Sequence, residues 1–154
     1  MMAHPYARNH VHLVFSTKDR RPFIKPDLRN DVYCDLRRVA TDYGISIDLI
    51  GGMEDHVHIL LQLSPKLALS SLVCAMKAKS SKWMRERGHL FGWQSSYGCF
   101  SVSASNVAKV KEYIQEQEEH HKNRDFLAEF NELLRRHGIE ARAESMFTEV
   151  ESRG

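Results

Sequence analysis

Ile45-Ser46-Ile47-Asp48-Leu49-Ile50-Gly51-Gly52-Met53-Glu54-Asp55-His56-Val57-His58-Ile59-Leu60-Leu61-Gln62-Leu63 sets two apolar runs on either side of a glycine pair. Short runs rich in Ile, Val and Leu and bounded by turn residues read as strands. They are placed here at 45–51 and 55–63, with Gly51-Gly52 supplying the turn. A strand sends alternate side chains to opposite faces, so His56 and His58 share one face while Val57 anchors the other in a core. Two imidazoles are thereby aimed at one point.

Upstream, His10-Val11-His12-Leu13-Val14-Phe15 reads as a first strand within 8–17. Leu28, Val32, Leu36, Val39 and Tyr43 form an apolar stripe at helical spacing over 26–43, bracketed by Pro26 and Gly44. Downstream come a helix over 68–87, a strand over 93–103 and a helix over 106–121. The order βαββαβ predicts an α+β fold of ferredoxin-like type, an antiparallel sheet with helices on one face, plus C-terminal helices. Asp125 can cap a last helix whose stripe is Phe126, Phe130, Leu133 and Leu134, stopped at Gly138. Residues 1–138 read as a single domain and 139–154, polar and without periodicity, as a tail.

Tyr113 and Gln117 lie four apart on the helix predicted over 106–121 and project from one face. A tyrosine hydroxyl can attack phosphorus, and a glutamine carbonyl oxygen can bind a hard cation. Two histidines and one amide oxygen leave coordination positions open, as a catalytic metal site requires. His10 and His12 have the same spacing as His56 and His58, and spacing alone does not say which pair holds a metal. Glu54, two residues before His56, is a candidate to orient its imidazole.

With 154 residues and 42% apolar content the chain suits one domain. It has no apolar run of about 18 residues and no apolar signal core, so a cytoplasmic protein that does not enter membranes is expected. Cys34, Cys74 and Cys99 are odd in number and lack metal-type spacing, which predicts buried, reduced thiols. A net charge of +2 says little, but its distribution says more. Lys77, Lys79, Lys82, Arg85 and Arg87 crowd one helix, and Lys18, Arg20 and Arg21 one loop. Lys18, Arg20, Arg21, Lys77, Lys79 and Lys82 are candidate nucleic-acid contacts. Trp83 suits either base stacking or a core face.

Several blocks in order carry a resemblance: Ser16-Thr17-Lys18-Asp19-Arg20-Arg21-Pro22, Gly52 through Leu60, Met76 through Trp83, Trp93-Gln94 through Ser103, and Tyr113 through His121. The chain resembles the single-tyrosine HUH transposases of insertion sequences and their REP-associated relatives over about residues 8–140. The resemblance implies that His56, His58 and Gln117 hold a divalent metal, Mg²⁺ or Mn²⁺, and that Tyr113 is the nucleophile. It leaves His10 and His12 as strand residues. It further implies cleavage and rejoining of single-stranded, hairpin-containing DNA through a 5′-phosphotyrosine. The partner arrangement it implies is a homodimer in which the Tyr113 helix completes the neighbour's site. The alternatives are a domesticated nuclease that processes REP-type palindromes, and a non-catalytic nucleic-acid-binding module.

Overall fold

A computed structural model describes residues 6–147. Strands β1 (His10–Ser16), β2 (Ile47–Met53), β3 (His56–Gln62) and β4 (Gly98–Val102) form one sheet in the order β2-β3-β1-β4. Every neighbouring pair is antiparallel. Helices α1 (Arg29–Asp42) and α2 (Leu69–Glu86) pack side by side. Their stripes of Val32, Leu36 and Val39, and of Leu72, Val73 and Met76, meet Val11, Leu13, Phe15, Val57, Ile59 and Leu61 in the main core. Arg87, capping α2, donates to both carboxylate oxygens of Asp35 on α1 at 2.7 and 2.8 Å and ties the helix pair together.

The ferredoxin-like unit is therefore as expected, and the added helices take the opposite face. These are α3 (Val107–Gln115), α4 (Gln117–His120) and α5 (Phe126–Arg136). Phe126, Phe130, Leu133 and Leu134 of α5 close over Val14 and Phe100 in a second core. The Asp125 side chain accepts from Ala128 N at 3.0 Å, the cap expected for α5.

Three readings of strand, turn and helix bounds change. Gly51 and Gly52 lie within β2, paired with His58 and Val57, and the hairpin turns at Glu54-Asp55 instead. A Cβ on Gly51 would stand 2.5 Å from the Ile114 carbonyl oxygen, so the glycine serves the close approach of α3 and not a turn. β4 starts at Gly98, not 93, and Trp93 makes only an isolated bridge to Thr17. The intervening carbonyls of Gln94 and Ser96 accept from Lys77 Nζ at 2.7 Å each, which takes them out of sheet pairing. The helix expected over 106–121 breaks at Glu116, whose φ of −100° and ψ of 25° are not helical.

The stretch read as a tail is in part packed down. Residues Ala143–Phe147 form a short 3₁₀ helix whose Ala143 and Met146 are buried in the second core. Residues 148–154 lie outside the described ones. Cys34 and Cys74 are exposed on the outer sides of α1 and α2, contrary to the buried thiols expected, and Cys99 is half-buried. Trp83 packs against the main core under the Arg38 guanidinium, 4.6 Å from its ring. No helix among the described residues is long and apolar enough to cross a membrane.

Candidate metal centre and tyrosine

β3 presents His56 and His58, both fully buried, to the face covered by α3–α5. Each imidazole has both nitrogens engaged. His56 Nδ1 is 2.7 Å from Asp55 Oδ1, and its Nε2 is 3.0 Å from Gln117 Oε1. His58 Nδ1 is 2.7 Å from His12 Nε2, and its Nε2 is 3.0 Å from Glu129 Oε1. That Glu129 oxygen is also 3.2 Å from His56 Nε2 and 3.1 Å from His121 Nε2. The other oxygen, Glu129 Oε2, accepts from Gln117 Nε2 at 3.0 Å and from the Tyr113 hydroxyl. Arg124 Nη2 donates to the Tyr113 oxygen at 3.3 Å.

One carboxylate buried completely among imidazoles dominates the electrostatics. Burial alone would raise the Glu129 pKa, but hydrogen bonds from His121, His56 and His58 hold it well below the usual carboxylate range. Burial alone would likewise lower His56, yet its bonds to Asp55 and Glu129 push it up to about 9. His58 moves the other way: burial outweighs Glu129 and favours its neutral form. His12 is lowered further, by burial and then by His58, which suits a neutral pair sharing one proton between Nε2 and Nδ1. Burial and then Glu129 raise the Tyr113 phenol above its usual value, with Arg124 opposing them.

The donor set fits a divalent cation. Nitrogen and oxygen donors of His56, His121 and Glu129 all lie within 4.8 Å of one another. Neighbouring ligands around a cation at about 2.1 Å stand about 3.0 Å apart. The contacts around Glu129 Oε1 and His56 Nε2 run from 3.0 to 3.2 Å.

Tyr113, His56, His58 and Gln117, the set that the resemblance implied, lie together within one chain. α3 reaches them because it packs on β2 and β3 of its own sheet. The Tyr113 ring stands 5.7 Å from that of His58 in the same chain. Glu54 does not orient His56. It sits in the turn, off the strand's alternation, with its carboxylate 3.8 Å from Lys25 Nζ, and Asp55 takes the role. Lys77 is not a surface contact either: its ammonium is drawn in beneath two carbonyls, where burial lowers its pKa to about 8. Arg20 faces Asp125 at 3.6 Å, and Lys82 faces Glu86 at 3.8 Å. Lys18, Arg21 and Lys79 are exposed.

Asp55, His121, Arg124 and Glu129 complete the site without having been foreseen, and His12, which the resemblance left as a strand residue, joins it through His58 Nδ1. Two of them carried a signal. His121 follows Gln117 at the same four-residue spacing that joins Gln117 to Tyr113. Glu129 falls three residues after Phe126 on the apolar stripe of α5, where a lone carboxylate calls for a buried partner. A cavity of about 400 Å³ opens beside the tyrosine, lined by Tyr113, Arg124, Glu129, Lys109, Arg136 and His137 among others. A second, wider groove of about 830 Å³ carries Arg20, Arg29, His121, Lys122 and also Arg124.

The family described as "Transposase IS200 like" matches residues 6–117, so the chain belongs to the IS200-like transposases. It is 29% identical over 114 residues to the ISDra2 transposase TnpA of Deinococcus radiodurans, covering 69% of this chain and 81% of that one. It is 30% identical over 132 residues to the transposase for insertion sequence element IS200 of Salmonella typhimurium, covering 79% and 84%. Among solved structures, a candidate transposase from D. radiodurans superposes with a TM-score of 0.59 at 25% identity, covering 76% of this chain and 97% of that one. A REP-associated tyrosine transposase bound to a REP hairpin superposes at 0.60, with 14% identity and coverage of 79% and 74%, a likeness of fold. The family match takes in His56, His58, Tyr113 and Gln117 and ends before His121 and Glu129.

Proposed function

We propose that the chain cleaves and rejoins single-stranded DNA, with Tyr113 as nucleophile and a divalent cation, Mg²⁺ or Mn²⁺, held by His56, His58 and Gln117. The observation that carries this reading is the Tyr113 hydroxyl. It stands at the rim of the donor cluster, touches Arg124 and lines an open cavity. A bound cation would offset charge developing on the scissile phosphate oxygens. Tyr113 oxygen attacks phosphorus, the bond to the 3′ oxygen breaks, and the DNA 5′ end is left on the tyrosine. The freed 3′ hydroxyl can attack the phosphotyrosine in turn and restore a strand without ATP. Arg124 lies where it can pair with a phosphate oxygen and steady the phenolate. Burial and Glu129 keep the tyrosine protonated while the site is without substrate.

The family match supports transposition, and the REP hairpin in the superposed structure supports a hairpin-bearing strand as substrate. Arg20, Arg21, Lys18 and Lys79 are the candidate strand contacts. A homodimer is compatible with this reading, but the cluster within one chain favours a tyrosine acting at its own histidine pair.

The test uses end-labelled single strands from the flanks of the gene, with Mg²⁺ or Mn²⁺, resolved on denaturing gels. A protein–DNA adduct that disappears in Tyr113→Phe and with chelator is the expected result. Tight binding without an adduct across those strands and both metals would instead assign a non-catalytic binding module.

A further inference from the structure

The geometry points to Glu129 as a bridging residue that supplies an anionic ligand through one oxygen and positions the Tyr113 hydroxyl through the other. It rests on the metal-dependent tyrosine reading above and assigns this chain a ligand from α5, beyond the matched span. His56, His58 and Gln117 offer a cation only neutral donors. Three imidazole nitrogens, those of His56, His58 and His121, stand 3.0 to 3.2 Å from the single oxygen Glu129 Oε1. That is the spacing of neighbouring ligands in a coordination shell. A carboxylate there also shifts the donor set towards oxygen, which suits hard cations such as Mg²⁺ better than imidazoles do.

The second oxygen is committed elsewhere. Glu129 Oε2 receives the hydroxyl proton of Tyr113 and the amide of Gln117, so it fixes the direction of the phenol and of the amide together. With its proton held on that side, the tyrosine oxygen turns its remaining lone pair towards Arg124 and the cavity. The carboxylate is fully buried on a helix whose stripe is otherwise packed into the second core, so little freedom remains to it. Glu129 is thus a ligand and a positioning residue at once, and it couples metal occupancy to the aim of the nucleophile.

The experiment compares wild type, Glu129→Gln and Glu129→Ala, each checked for folding by circular dichroism. Mn²⁺ affinity is read from the electron paramagnetic resonance signal of the free ion, and adduct formation on a flanking single strand is read at saturating Mn²⁺. Both variants are expected to lose at least about tenfold in Mn²⁺ affinity. At saturating Mn²⁺, Gln, which keeps an acceptor near Tyr113, is expected to regain adduct formation to within a few fold of wild type, while Ala stays well below it. Wild-type Mn²⁺ affinity in Glu129→Gln overturns the ligand role. Equal adduct rates for Gln and Ala overturn positioning, and a faster Ala variant would make the carboxylate a block. Failure of the parent reading looks different: wild type forms no adduct, or Tyr113→Phe still forms one, whatever the affinities.

Discussion

His56 has its two nitrogens committed to opposite sides, Asp55 behind and the donor cluster in front. Its pKa of about 9 in the metal-free protein lies above the ordinary 6.5. A group whose folded-state pKa is raised adds stability that is complete below about pH 6.5 and is lost as pH climbs through about 9. In chelator, the melting temperature is therefore expected to fall over that interval, and His56→Ala to remove this component of the fall. A His56→Ala protein that declines as steeply as wild type would contradict the assignment. The same proton competes with a cation for Nε2, so metal affinity should rise with pH over the window. Asp55→Ala should weaken Mn²⁺ binding by about 10- to 100-fold, as loss of an orienting carboxylate does. Glu54→Ala, in the turn beside Lys25, should leave it within about twofold, which titration of both variants will read.

At the level of elements, the site depends on how closely α3 can lie on the sheet. Gly51→Ala puts a methyl 2.5 Å from the Ile114 carbonyl and 2.7 Å from its Cγ2. Overpacking of this kind costs about 1–3 kcal/mol. Because Ile114 neighbours Tyr113, a lowered melting temperature should be accompanied by weaker metal binding, measured on the same sample. Lys77→Met leaves the Gln94 and Ser96 carbonyls without their donor and should cost about 1–3 kcal/mol in urea unfolding. Exposed Lys79→Ala should change stability by less than about 0.5 kcal/mol. These elements also mark what the sequence could convey. The alternation at His56-Val57-His58 and the stripe of Val32, Leu36 and Val39 are periodicities, and the strand and helix they imply are present. Gly51-Gly52 looks like a turn to any local rule, whereas its purpose is a contact with a helix about sixty residues away. The break at Glu116 has neither Pro nor Gly to announce it. The late start of β4 depends on a lysine from another helix. Tyr113, Gln117 and the histidine pair were legible because blocks of sequence in order carried them. Glu129 shows in the sequence only as a carboxylate on an apolar stripe, and its role does not, since its partners come from β3, α3 and α4 and only the fold makes them neighbours.

For the molecule as a whole, both faces of the sheet are covered, and the donors and the tyrosine of one site come from one chain. Mixing His56→Ala with Tyr113→Phe protein is therefore expected to restore no adduct formation. Recovery in the mixture would mean that α3 exchanges between chains. The strand contacts proposed for Lys18, Arg20, Arg21 and Lys79 should make DNA affinity fall with salt, and each neutralised contact should reduce the logarithmic slope by about 0.7 for single strands. Lys77→Met should leave that slope unchanged, as its ammonium is already engaged with backbone. The chain order of the site has one more result. The last strand of the sheet ends at Val102, whereas Tyr113, Gln117, His121 and Glu129 all come after it. A chain still emerging from the ribosome, or clipped between 103 and 112, carries the imidazole pair with no nucleophile to aim. In the proposed chemistry such a fragment is harmless to the genome that encodes it, and the capacity to cut arrives only once Tyr113 and the residues after it have been made.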